Sequence, residues 1–214
     1  RFNYRIMQIE IVDNFLNKED FEKIISCLPN GVAADKTGHF HTRYEKNKTF
    51  NQNFLSDLIT KNLVKNYHDK AIRILEKLSP NKVKLYDYSD FSLIATGKDI
   101  NFPIHDDNPD KLLTGVIYLS PNQSTGTNFY EDKKGNGQRT IEWKQNRAVF
   151  FSRREKESWH SYKGDGVTTR YVLSYQLKTH RIKEVFGAED TNKYLGLMRY
   201  KLNPYIYKYL KFTI

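Results

Sequence analysis

Beyond Pro80 the chain is cut into short segments, and nothing else in the sequence restricts its fold as strongly. Runs rich in β-branched and aromatic residues fall at 83–88, 91–96, 103–107, 112–119, 126–131, 138–143, 147–152, 158–162 and 168–178, with turn-forming residues between them. Strands this short and this regularly spaced predict a sandwich or jelly roll. Gly135-Asn136-Gly137 marks a turn in the middle of the series.

The flanks read differently. Residues 7–16 alternate in part and predict an opening strand, after which Asn17 caps a helix over 18–28, with Asp20 as a capping-box partner. The stretch 29–52, rich in Gly, Asn, Lys and His, reads as a long loop or a hairpin. From 53 to 78, Leu55, Leu58, Ile59, Leu63, Ile72, Ile74 and Leu75 recur at helical spacing, which predicts the longest helix, packed by its apolar face on a sheet. After His180 the pattern turns helical again around Tyr194, Leu195, Leu197 and Met198, and closes in an aromatic tail from Pro204 to Ile214. The expectation is one domain over 1–214, mainly β with flanking helices (α+β). It comprises a helical support at about 17–80, a β core at about 83–178 and a helical tail at 181–214.

A chain of 214 residues can bury a sizeable core. No run approaches the roughly 18 apolar residues of a membrane span. The single cysteine, Cys27, cannot close an internal disulfide, so a reducing, cytoplasmic setting is expected, with Cys27 as a small buried hydrophobe in the first helix. No secretory signal is visible, and the chain opens on Arg1 rather than Met, as a trimmed chain would. The net charge of +10 suits nucleic acid, anionic polysaccharide or an acidic peptide. The lysines are scattered, however, without a basic block interleaved with aromatics, so a solvated basic surface is the expectation.

The chemistry concentrates in Pro103-Ile104-His105-Asp106-Asp107-Asn108-Pro109 and, downstream, Ser158-Trp159-His160-Ser161-Tyr162. In an extended segment His105 and Asp107 share one face and Asp106 takes the other. With His160 they make two imidazoles and one carboxylate, a set that suits non-haem Fe(II) held on one face of an octahedron. Ten residues past His160, Arg170 begins an apolar strand, where a guanidinium can form a bidentate pair with a carboxylate of a small acid bound at the metal.

These residues resemble the 2-oxoglutarate- and Fe(II)-dependent dioxygenases, and most of all their prolyl 4-hydroxylase branch. Phe102 three residues before His105 resembles the branch's aromatic at that place, and Tyr118-Leu119-Ser120 its strand ending in Tyr-Leu-Asn. Thr125-Gly126-Thr127-Asn128-Phe129 is similar to its Gly-Gly-Thr-x-Phe element, with Thr125 replacing the first Gly. Arg147-Ala148-Val149-Phe150-Phe151, His160 and Arg170-Tyr171 resemble the second half of its core, and Ile11-Val12-Asp13-Asn14-Phe15-Leu16 its N-terminal strand. The resemblance spans about 8–178 and weakens in 29–80.

The resemblance implies a double-stranded β-helix (jelly roll, cupin-like). It implies His105, Asp107 and His160 as iron ligands, Arg170 as anchor of the distal carboxylate of 2-oxoglutarate, and Tyr118 as a hydrogen-bond donor to it. The co-reactants would be Fe(II), 2-oxoglutarate and O2, with ascorbate as an accessory reductant, and Asp107 favours hydroxylation over halogenation. The first substrate guess is a peptidyl proline, and the alternative is a free amino acid, sugar or lipid. Two departures bear on that choice. Ile94-Ala95-Thr96 stand where the family often has a Tyr before its strand His, and Arg170 stands where prolyl hydroxylases often have Lys.

Other readings fare worse. His39-Phe40-His41 has metal-binding spacing but lacks a third ligand, so a loop role in substrate contact is expected. Trp159 and Tyr162 are candidate pocket walls, and His68 and His180 read as surface positions. Nucleic-acid demethylation would call for a further arginine soon after the anchor, but the next is Arg181, eleven residues on. A metal-free binding module predicts a broken triad, against the intact set here. No Gly-rich phosphate loop, Cys-x-x-Cys pair or serine nucleophile elbow is present.

Overall fold

A computed structural model describes residues 8–210, so Met7 of the expected first strand and residues 211–214 of the tail lie outside it. The chain opens with β1 (Ile9–Val12) and α1 (Lys18–Ser26). The Asn17 side chain accepts from the Asp20 amide at 2.8 Å, the expected N-cap, and donates to the Asp20 carboxylate at 2.9 Å; the reciprocal half of a capping box does not form, because the Asn17 amide donates to the Tyr67 hydroxyl at 2.9 Å. The same carboxylate accepts from the Tyr67 hydroxyl at 2.7 Å and tethers α1 to α2 (Asp57–Leu78). Helix α1 stops at Ser26, so Cys27 is its C-cap and is half-buried rather than enclosed in a helix.

Residues 29–52 resolve into a hairpin of β2 (Thr37–Glu45) and β3 (Lys48–Phe50). The first expected strand of the core is instead a 3-10 helix, Pro80–Leu85, because Pro80 lacks an N–H and its fixed φ suits a first helical turn. The next strand correspondingly lengthens to β4 (Tyr88–Thr96). Then follow β5 (Asn101–His105), β6 (Lys111–Ser120), β7 (Thr127–Phe129), β8 (Arg139–Ile141), β9 (Ala148–Phe151), β10 (His160–Lys163) and β11 (Arg170–Lys178). Two helices close the described chain, α3 (Ile182–Ala188) and α4 (Lys193–Leu210), and no described helix is long and apolar enough to cross a membrane.

The strands form a seven-stranded sheet, β1-β9-β6-β11-β4-β2-β3, and a four-stranded sheet, β5-β10-β7-β8, with antiparallel neighbours throughout, as in jelly-roll, cupin-like folds. Alternation divides the large sheet's residues between two cores. Phe91 and Leu93 of β4, Leu113 and Ile117 of β6 and Leu173 and Leu177 of β11 share a cluster with Leu63, Ala71 and Leu75 of α2. Val172, Tyr118, Val149 and Phe151 point the other way and meet Phe129 and Ile141 of the small sheet. Along this inner face of β11 the residues run Arg170, Val172, Ser174, Gln176, paired with Thr96, Ile94, Ser92 and Asp90 of β4. The wall is therefore apolar only over a short middle section, and polar groups stand at both ends.

Candidate active site

His105 is the last residue of β5 and His160 the first of β10, and the two pair directly across the small sheet. Asp107 lies two residues beyond the end of β5, in non-strand chain, so strand alternation does not place it. Its position is set by contacts instead. Thr114 Oγ1 of β6 donates to one carboxylate oxygen at 2.8 Å, and the Lys111 ammonium pairs with the other. One potential ligand atom from each of His105, Asp107 and His160 lies within 4.8 Å of the others, and no other such His, Cys, Asp or Glu group occurs among the described residues.

The histidines are oriented as ligands require. Nδ1 of His105 lies 3.0 Å from the Pro103 carbonyl, and Nδ1 of His160 lies 2.9 Å from that of Ser158. A carbonyl only accepts, so Nδ1 carries the proton in each ring and Nε2 keeps a free lone pair. Burial pushes His160 down to about 4 and lowers His105 as well, so both rings are neutral near pH 7. Burial would raise the Asp107 carboxyl, but Lys111 and then His160 outweigh it and hold it below the usual carboxylate range. Two neutral imidazoles and one carboxylate are the donor set for Fe(II).

Asp106, in the same non-strand segment, has its own task. Its carboxylate accepts from the Lys156 amide at 2.9 Å and from the Ser158 hydroxyl, which joins the loop carrying two ligands to the turn preceding the third. Burial raises this carboxyl to about 6. Behind it, Arg153 donates to the Asp107 carbonyl at 3.2 Å and pairs with the buried Glu189, which also holds the buried Lys82 at 2.7 Å.

The cluster opens into a cavity of about 290 Å³ that also receives Ile94, Val116, Tyr162, Val172 and Arg170. Arg170 is 1% exposed. Its Nε donates to the Thr125 carbonyl at 3.1 Å, one Nη nitrogen has no partner, and no carboxylate pairs with it among the described residues. The rings of Trp143, Tyr162 and Tyr118 lie 5.2, 5.3 and 5.7 Å from the guanidinium carbon. Its cross-strand neighbour Thr96 is likewise buried with an unpaired hydroxyl. Of the two, Arg170 lines the cavity, where a carboxylate ligand would complete its guanidinium. A cavity with an unpaired guanidinium and a two-His, one-carboxylate cluster fits a small dicarboxylic acid that also chelates the metal.

Tyr118 differs from expectation. Its ring stacks on Trp143 at 4.5 Å, its hydroxyl donates to Thr127 Oγ1 at 3.0 Å and accepts from the Thr127 amide at 3.1 Å, and it is not among the described residues lining the cavity. The hydroxyl is thus engaged within the protein rather than aimed at a co-substrate. His39 stands on β2, not in a loop, and reaches the cavity. Tyr162 lines it as expected, while Trp159 lines the neighbouring cavity. His68 is partly buried against Tyr86 rather than a surface residue. Thr114 and Lys111 as partners of Asp107, and Asp106 as a tie to Ser158, escaped sequence reasoning. Only the spacing of Lys111, four residues after Asp107, carried a local hint.

Comparison with solved structures places this architecture. The chain is similar to a prolyl-4-hydroxylase of Pseudomonas putida, with a TM-score of 0.53 and 10% identity over 81% of this chain and 94% of that one. It is similar to a 2OG-Fe(II) oxygenase-family oxidoreductase of Burkholderia pseudomallei, with a TM-score of 0.54 and 12% identity over 80% and 84% of the two chains. It also resembles a Trichoplax adhaerens prolyl hydroxylase in complex with a hypoxia inducible factor oxygen degradation domain peptide fragment, with a TM-score of 0.54 and 15% identity over 81% and 84%. No protein-family profile matches the chain, and no curated protein matches it in sequence. The chain has the fold of the 2OG-Fe(II) oxygenases, prolyl-4-hydroxylases among them.

Proposed function

We propose that the protein is an Fe(II)- and 2-oxoglutarate-dependent dioxygenase that hydroxylates a C–H bond, acting on a prolyl residue of a peptide or protein. The observation that carries this reading is that Arg170, buried with one nitrogen unpaired, lines the same cavity as His105, Asp107 and His160. We read the two sheets as a double-stranded β-helix and the whole chain as one dioxygenase domain. The peptide preference draws on the Trichoplax relative, which holds a peptide.

His105, Asp107 and His160 would hold the iron, and Arg170 would hold the distal carboxylate of 2-oxoglutarate. When bound, the iron and co-substrate supply the oxidation: one oxygen atom of O2 enters succinate as 2-oxoglutarate loses carbon dioxide, and the other becomes the product hydroxyl. The protein's share is geometric and electrostatic. Pro103 and Ser158 keep the ligand nitrogens deprotonated and aimed, Thr114 and Lys111 fix the carboxylate, and Val116, Ile94 and Val172 exclude water from the cavity between metal and anchor. Ascorbate would serve as an accessory reductant that keeps the iron ferrous.

The test is turnover. Protein supplied with Fe(II), 2-oxoglutarate, ascorbate and ¹⁸O2 should form succinate, faster with proline-containing peptides, and label the peptide with one ¹⁸O atom. Succinate formation that small acids or sugars stimulate and peptides do not would replace the peptide by a small-molecule substrate. Absence of succinate under every condition would overturn the dioxygenase reading.

A further inference from the structure

A second cavity, of about 410 Å³, lies against the loop that carries the ligands. His105, Asp106, Asp107 and Asn108 line both cavities, so this loop is their common wall. The second cavity also receives Tyr200 and Pro204 of α4, Phe186 of α3 and Trp159.

The wall is built rather than incidental. The Trp159 indole N–H donates to the Lys156 carbonyl at 2.8 Å, which fixes the ring. Lys156 itself sits at φ +60°, in the left-handed region that a lysine rarely adopts. Its amide is bonded to the Asp106 carboxylate at 2.9 Å. Lys156 is therefore tied to the metal loop through its N–H and to Trp159 through its carbonyl.

The uncommitted charge in this cavity is positive. Of its four basic residues, Arg153 pairs with Glu189 and Arg199 pairs with Glu155 at 2.8 Å, while Lys133 and Lys156 have no acidic partner among the described residues. The Asp106 and Asp107 carboxylates are already engaged, by Ser158 and the Lys156 amide and by Thr114 and Lys111. We propose that this cavity binds the part of an acidic peptide next to the reacting residue, with a flat side chain against Trp159 and Tyr200 and a carboxylate at Lys133 and Lys156. The assignment rests on the hydroxylase reading only for which residue enters the metal pocket. Single-stranded nucleic acid also uses aromatic rings and cations, but tracking a phosphate backbone takes a basic stripe rather than two lysines beside Glu155.

Fluorescence anisotropy on the full metal-free chain tests this directly. The probes are fluorescein-labelled short peptides with a common alanine-proline-tyrosine core flanked by glutamates, serines or lysines, and a labelled oligothymidine. The glutamate peptide should bind about fivefold tighter than the serine peptide, as two partly exposed ion pairs give, and the lysine peptide weakest. Lys133→Glu, on an exposed loop, should erase the preference and Lys133→Glu with Lys156→Glu should reverse it, whereas Tyr200→Ala should weaken all three peptides alike. Equal affinities, an order that survives both charge reversals, or oligothymidine binding above every peptide would overturn the proposal. Because no iron is present, those results leave the hydroxylase reading standing. Conversely, acid-selective binding without succinate formation would defeat the hydroxylase reading and not this one.

Discussion

Replacing Arg170 by methionine should move stability and co-substrate affinity in opposite directions. In the ligand-free protein the buried guanidinium makes one hydrogen bond, to Thr125, lacks an acidic partner and leaves a nitrogen unpaired. An uncompensated buried charge costs several kcal/mol even after relaxation, and the three surrounding rings return about 0.5–2 kcal/mol each. The two sums nearly cancel, and methionine keeps most of the packing. The ligand-free variant should therefore be as stable as the parent or better, each ~1 kcal/mol appearing as about 2–4 °C in Tm. Loss of charge-assisted hydrogen bonds to a carboxylate, about 1.5–3 kcal/mol, should weaken 2-oxoglutarate binding about 10- to 150-fold. Thermal melts with and without co-substrate read both effects. At a concentration about 100 times its Kd, 2-oxoglutarate should stabilise the metal-loaded parent by about 2.7 kcal/mol, or roughly 5–10 °C, and Arg170→Met by about 0.3–1.4 kcal/mol, or about a tenth to a half of the parent's shift. A variant that melts several degrees lower without ligand, yet keeps the full shift with it, would show Arg170 to be a structural residue and refute the argument.

Three further outcomes follow from the same contacts. His160 has its pKa depressed from 6.5 to about 4, so the unfolded chain binds more protons between those values and stability falls as pH drops through that window; Asp106, raised from 3.8 to about 6, acts in the opposite sense, losing its contribution as pH rises from 3.8 to 6. Asp106→Asn should steepen the rise of metal-free stability from pH 4 to 6 by on the order of 3 kcal/mol in urea melts, and a profile parallel to the parent's would contradict the assignment. Tyr118→Phe leaves the Thr127 amide and hydroxyl without their partner and should cost about 1–3 kcal/mol of stability, with 2-oxoglutarate affinity changed less than about threefold; a loss equal to that of Arg170→Met would restore Tyr118 as a co-substrate ligand. Glu189→Ala strands two buried cations, Lys82 and Arg153, and should cost about 3–5 kcal/mol and weaken Fe(II) binding through the Asp107 carbonyl, and an unchanged urea midpoint would rule the triad out as a brace.

What the sequence made legible was local, or carried by an ordered series of motifs. The Asn17 cap, the apolar stripe of α2 and the β-rich runs after residue 88 follow from short-range periodicity. His105 and His160 could be named because strand ends place them, and Asp107 because it stands in series with them, although it lies past the strand and is held by Thr114 of another. Val83, Leu85 and Tyr86 give 83–88 a strand-like composition, but the helical turn that Pro80 opens runs to Leu85, and the strand begins only at Tyr88. Lys82, Arg153, Glu189 and Asp106 had no readable pattern, since their partners lie up to 107 positions away and only the tertiary fold neutralises them. The burial of Tyr118's hydroxyl is of the same kind, decided by Thr127 on the facing sheet.

The most direct test of the central claim is anaerobic titration of the protein with Fe(II) and then 2-oxoglutarate, followed by visible absorption. A weak charge-transfer band should appear only when both are present, vanish in His160→Ala and require far more co-substrate in Arg170→Met. Folded protein that binds Fe(II) and 2-oxoglutarate without the band, or a band indifferent to His160, would mean that these residues do not form the chelate site, and the dioxygenase reading would fall.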